Sequence, residues 1–178
     1  MDNKDLLMIS LSKFYSNKNN INTILPIING KSKISLRLLD WFVTNYSKKR
    51  GIVITQYNEN NIFHFNVYLS YRSQLKAYSK HQFDPFKRRE RINFYYDKNN
   101  YIESTIGQLN FFRWIIQNNI IPFILDNSKN IEDDMIQAQK ANNIRKNNNL
   151  ISKKRQELSK ACTKNMNTYL GARVINFD

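Results

Sequence analysis

The chain has 178 residues, with 28 Lys and Arg against 14 Asp and Glu, a net charge of +14. An apolar share of 41% with eleven Phe, ten Tyr and two Trp excludes disorder throughout; one cysteine excludes a disulfide framework or a cysteine-based zinc site; four glycines exclude most glycine-dependent phosphate loops. No stretch approaches the ~20 continuous apolar residues of a membrane span, and MDNKDLLMISLSKFYS sets acids before a short apolar run, unlike a secretory signal, so the reducing interior of a cell, or a particle assembled there, fits best.

Leu6, Leu7, Ile9 and Leu11 predict a short first helix. An Asn/Lys-rich link follows, then the run Ile24 to Ile28, broken by Pro26, and the turn pair Asn29-Gly30. Leu36, Leu39, Phe42 or Val43, and Tyr46 recur at helical spacing over 35–50. Ser32 or Ser35 caps this helix and Gly51 gives its left-handed stop. GIVITQY and IFHFNVYLSY read as a β-hairpin spanning 52–71, with Phe63, Phe65, Val67 and Leu69 on one face. The segment 72–91 opens with a helical turn that Asp84-Pro85 must end. RINFYYD reads as a third strand and Asn99-Asn100 as a loop. Ile106, Leu109, Phe112 or Arg113, and Ile116, widened by Phe111, Trp114 and Ile115, predict a helix over 105–118 buried on two sides, with Pro122 as a breaker. Asn130 then caps a polar helix with Glu132, Asp133 and Asp134 in its first turn. From 137 to 165 the chain buries too little apolar surface to offset about 1–2 kcal/mol of backbone entropy per residue, so it reads as a partly disordered or solvent-laced helical arm. ARVINFD adds a strand or dangles. The expected fold class is α+β: a small β-hairpin or sheet packed against two main helices in a domain over 1–130, then a basic, partly helical arm over 131–178. Asn, Ile and Lys number 27, 22 and 18. All three have A/T-rich codons, so a single Asn is weak evidence for a cap or ligand.

The charge is clustered. Residues 31–50 carry a net +5, 72–91 a net +5 and 137–178 a net +7, while 51–71 and 92–136 are near neutral or acidic. Clustering of this kind points to a polyanionic partner rather than to solubility alone. The first candidates are Arg72, Lys76, Lys80, Lys87, Arg88, Arg89 and Arg91, interleaved with Tyr71, Tyr78, Phe83 and Phe86. Cations neutralise phosphates and release counterions, arginines grip phosphate bidentately, and aromatic faces stack bases. The plainer alternative puts the aromatics in the core and the cations on a solvated face; for the aromatics it is preferred. Lys87–Arg91 also reads as a nuclear-import run. Lys48, Lys49 and Arg50 end a helix, where lysines more often complement the dipole than bind ligand. Lys153, Lys154 and Arg155 lie on the arm, a common device for non-specific nucleic-acid contact.

Chemistry is harder to find. The acids at 132–134 read as structural. His64 and His81 lack companions for zinc, and Cys162 lacks a base. Without grouped carboxylates a two-metal nuclease has little support, so no catalytic residue, metal or cofactor is expected.

Three stretches carry a resemblance: SLRLLDWFVTNYSKK (35–49), FNVYLSYRSQLKAYSKHQFDPFKRR (65–89) and TIGQLNFFRW (105–114). They resemble an uncharacterised family of small basic proteins of nucleocytoplasmic large DNA viruses, over roughly 35–120. The resemblance implies a protein made in the host cell during infection, in a cytoplasmic viral factory or packaged in the virion, and it supplies no catalytic residues. The expected function is non-enzymatic nucleic-acid binding of low sequence specificity, to DNA or RNA. The alternative is a structural virion protein contacting other virion proteins. No membrane partner is expected.

Overall fold

Residues 3–58, 61–78 and 81–152 are described by the computed structural model. The chain divides into two units, 1–138 and 139–178.

The first unit is α+β. It opens with α1 (Asn3–Tyr15) and α2 (Lys18–Ile28). Asn17 caps α2, its side chain accepting the Asn19 N–H at 3.0 Å. Pro26 lies inside α2 instead of breaking it. One missing ladder bond is tolerated because Ile21, Ile24 and Ile27 bury that helix against the core.

A continuous helix over 36–50 follows, as its periodicity predicts. It comprises α3 (Leu36–Trp41), a π-helical turn (Phe42–Tyr46) and α4 (Ser47–Arg50). Ser35 caps it by accepting the Leu38 N–H, and Gly51 stops it at φ +62. In the π turn the Ser47 N–H donates five residues back, to the Phe42 carbonyl.

The expected hairpin exists but is shorter. β1 (Val53–Asn58) and β2 (Asn61–Asn66) pair antiparallel, with Ile54 opposite Phe65. From Val67 the chain is helix α5 (Val67–Tyr78), not strand. Asn66 decides the switch: its side-chain oxygen accepts the Leu69 N–H at 3.0 Å, a cap that ends the ladder. Val67 is therefore buried while Phe63 and Leu69 are exposed, and the predicted four-residue apolar face does not form.

β3 (Ile92–Tyr95) has a partner that the sequence reading lacked, β4 (Tyr101–Ser104), in a second two-stranded sheet. Phe94 and Ile102 face inward and Tyr95 and Tyr101 outward. Next, α6 (Ile106–Gln117) runs through the middle of the core with Leu109, Phe111, Phe112, Trp114 and Ile115 buried. Two polar groups orient it. The Tyr15 hydroxyl donates to the Leu109 carbonyl at 2.7 Å, and the Trp114 indole donates to Ser70 Oγ at 3.1 Å.

Only Asn118 and Asn119 separate α6 from α7 (Ile120–Ser152), Asn119 being left-handed at φ +48. Pro122 is no breaker. It is the third residue of α7, where a backbone N–H has no intrahelical acceptor to lose. Asn130 is likewise mid-helix rather than a cap. Ile120, Ile124, Ile131 and Met135 form the buried stripe of α7. In the second unit, α7 continues to Ser152 with 140–146 exposed. The expectations for 153–165 and for ARVINFD lie outside the described residues. No helix among the described residues is long and apolar enough to cross a membrane.

Candidate nucleic-acid interface

The segment between α5 and β3, residues 81–91, has no regular structure, yet α6 holds it in place. Gln108 Nε2 donates to the Pro85 carbonyl at 2.8 Å, and Asn110 Nδ2 to the Gln82 carbonyl at 3.0 Å. The Asp84 N–H donates to the Gly107 carbonyl at 3.2 Å. Glycine at 107 allows this close approach: a Cβ there would sit 3.1 Å from the His81 carbonyl oxygen, tighter than ordinary contact. The cations that follow thus hang from a fixed support.

Those cations divide into two classes. Several are engaged by acids: Arg88 with Asp84 at 3.3 Å, Arg91 with Glu103 at 3.1 Å and Lys49 with Asp134 at 2.6 Å. Glu90, inside the basic run, pairs with Lys4. Others have no carboxylate within ion-pair distance among the described residues: Lys48, Arg50, Arg72, Lys76, Lys87 and Arg89. Lys48 lies 5.7 Å from the centre of the Tyr68 ring, and Arg50 5.4 Å from that of Tyr46. Lys80, Lys153, Lys154 and Arg155 lie outside the described residues.

Helix α5 gathers several of the cations without a carboxylate partner among the described residues. Tyr68, Arg72 and Lys76 are four residues apart, so they share one face with a rise of about 6 Å per step. Lys48 lies against Tyr68 at the start of that face. Arg72 and Lys76 line a shallow groove with Leu69 and Ser73. One helical step around, Tyr71 and Leu75 line a cavity with Arg88 and Arg89. Lys48, the stretch 72–76 and Arg88–Arg89 therefore flank one helix on neighbouring faces. Arg91 and Lys49 do not join them as free charges.

Two of the interleaved aromatics are core, as the plainer alternative had it: Tyr71 and Phe83 are buried, and half-buried Tyr78 stacks on Phe83 at 5.9 Å with the rings 12° apart. Phe86, also half-buried, carries the Arg88 guanidinium 4.5 Å from its ring centre. The exposed aromatics are elsewhere: Phe63 on the first hairpin, and Tyr95 and Tyr101 side by side on the second.

The amino-acid sequence from 1 to 172 matches a family of unknown function, DUF7197. The chain belongs to that family. It is 47% identical over 131 residues to the uncharacterised protein L507 of Acanthamoeba polyphaga mimivirus, a match covering 71% of this chain and 51% of that protein. The chain thus spans about half the length of this curated relative. The resemblance to an uncharacterised giant-virus family is accordingly shown. No solved structure matches.

Two acidic residues that sequence reasoning passed over belong to this region. Asp40 and Asp84, 44 positions apart, both line the cavity beside α5. A signal for Asp40 was present: it stands four residues after Leu36, at the edge of the apolar stripe, between Leu39 and Trp41. Asp84 was read only as the residue before a proline. Among the described residues no three His, Cys, Asp or Glu side chains cluster as metal ligands would.

Proposed function

We propose that this chain is a non-enzymatic nucleic-acid-binding protein that grips phosphate backbone through the basic face centred on α5. The observation that carries the reading is the convergence of Lys48, Arg72, Lys76 and Arg89 around one helix, each without a carboxylate partner among the described residues. A surface kept for solubility has no need to leave cations uncompensated together while pairing Lys49, Arg88 and Arg91 elsewhere. Phosphate contacts of this kind position a strand without reading sequence.

The test is the salt dependence of binding. Each phosphate contact adds about 0.9 to the slope of log K against log salt on duplex DNA and about 0.7 on single strands. Arg72→Ser with Lys76→Ser should lower the slope by roughly two contacts' worth; an unaltered slope removes α5 from the interface. Retention on DNA that is absent at low salt ends the reading altogether.

A second reading, a structural virion protein, has its own support in the exposed Ile62, Phe63, Tyr95 and Tyr101 on the two hairpins. Light scattering on nuclease-treated protein distinguishes the two: stable self-assembly without nucleic acid favours the structural role.

A further inference from the structure

The cavity beside α5 measures about 260 Å³ and opens between that helix and the 81–91 segment. Leu75, Phe83 and Pro85 give it an apolar floor, and Asp40, Tyr71, Asp84, Arg88 and Arg89 supply its polar groups. Pockets for drug-sized ligands start near 300 Å³, so this one suits a single base better than a larger folded ligand.

Most of the polar groups are committed. Asp84 faces Arg88 through one oxygen and accepts the Phe86 N–H at 3.3 Å through the other. Asp40 is different. Its backbone carbonyl accepts the Thr44 hydroxyl, but its carboxylate has no hydrogen-bond or ion-pair partner among the described residues. Burial pushes the Asp40 carboxyl above its usual range; Arg88 opposes that shift, and Asp84 adds to it. The Tyr71 phenol is pushed up to about 12, by burial first and then by the two aspartates, so it remains a neutral hydroxyl. At the mouth, Arg89 is a guanidinium with no carboxylate partner among the described residues. The cavity thus has an unused acceptor and an unused anion-binding group in its lining.

We infer that this cavity holds one nucleotide of a bound single strand, with its base edge donating to Asp40 and a phosphate on Arg89. The inference rests on the nucleic-acid reading above. A splayed base in a single strand presents its Watson–Crick edge to side chains. Guanine offers a carboxylate two adjacent N–H donors on that edge; thymine offers one, flanked by carbonyls that repel a carboxylate. The site therefore prefers guanine. A basic peptide would also satisfy Asp40, but Arg88 and Arg89 line the same cavity and repel it, and Asp84 is already taken by Arg88.

The experiment measures binding of the full chain to labelled oligothymidylate and to the same strand carrying one central guanine. The guanine strand should bind about tenfold more tightly, the discrimination of one good bidentate base contact. Asp40→Asn should bring that ratio close to one. Arg72→Ser with Lys76→Ser should weaken both strands alike and leave the ratio intact. Equal, salt-dependent binding of both strands to the native chain overturns the nucleotide site and leaves the backbone reading standing. A ratio preserved in Asp40→Asn also overturns it. Absence of all binding at low salt overturns both. Free guanosine monophosphate separates the possible sources of the nucleotide: if it binds in an Asp40-dependent way while neither oligonucleotide does, the strand is the wrong occupant.

Discussion

Two aspartates, Asp40 and Asp134, illustrate how hydrogen-bond partners decide whether burial raises a carboxyl or is overridden. Asp134 is 6% exposed and fully served: the Trp41 indole donates to one oxygen at 3.1 Å and the Lys49 ammonium to the other at 2.6 Å. Chiefly because of the Lys49 hydrogen bond, its carboxyl is held below the usual range. Asp40 precedes Trp41 in the chain, is less buried, and has its carboxyl raised. One of these charges fastens the helix over 36–50 to α7. The other keeps an acceptor open to a cavity.

The largest effect that would sharpen this contrast is on Asp134. Asp134→Ala removes both hydrogen bonds and leaves the half-buried Trp41 indole N–H without this acceptor, so stability should fall by about 1–3 kcal/mol. A urea midpoint that stays put would break the comparison. The pH dependence has a definite sign. Because the native carboxyl sits below its unfolded value, the Asp134 contribution is complete above the unfolded value and is lost as pH falls through the native one. The urea curves of native chain and variant should therefore converge in acid.

Lys49→Ala should have a smaller effect. The lysine side chain is 66% exposed, solvent screens the pair, and Trp41 still holds Asp134, so a loss of about 0.2–1 kcal/mol is expected. Smallest, and opposite in sign, is Asp40→Asn. An acid whose native value is raised destabilises the fold wherever it is ionised, above that native value, and ceases to do so below the unfolded one. Removing its charge should leave the midpoint at neutral pH unchanged or raise it. A drop comparable to that of Asp134→Ala would show Asp40 to be structural.

The sequence was legible where one interaction dominates over several turns. Leu36, Leu39, Val43 and Tyr46 predict their helix, and Leu109, Phe112 and Ile116 predict α6. It was illegible where a single side chain arbitrates. IFHFNVYLSY is rich in strand formers, and its alternation continues past the point where Asn66 caps α5. Discounting Asn on grounds of composition hid that cap and the one at Asn17. Proline misled twice, because its effect depends on where in a helix it falls. The charge map was half legible. Clustered charge is plain in the sequence, but spacing cannot show that Arg88 and Arg91 answer to Asp84 and Glu103 while Arg89 does not. The cavity was invisible, since Asp40 and Asp84 meet only after the 81–91 segment is pinned to α6.

The π turn over 42–46 has a consequence for how this helix tolerates change in length. It holds one residue more than the α-helical path, and each residue of an α-helix turns the phase by about 100°. Deleting one position within the turn removes that surplus and lets the rod close as an unbroken α-helix, with Lys48, Lys49 and Arg50 near their present azimuth. Lys49 then keeps Asp134 and Lys48 keeps Tyr68. The turn is thus the one stretch of this rod that can give up a residue without re-aiming what lies downstream.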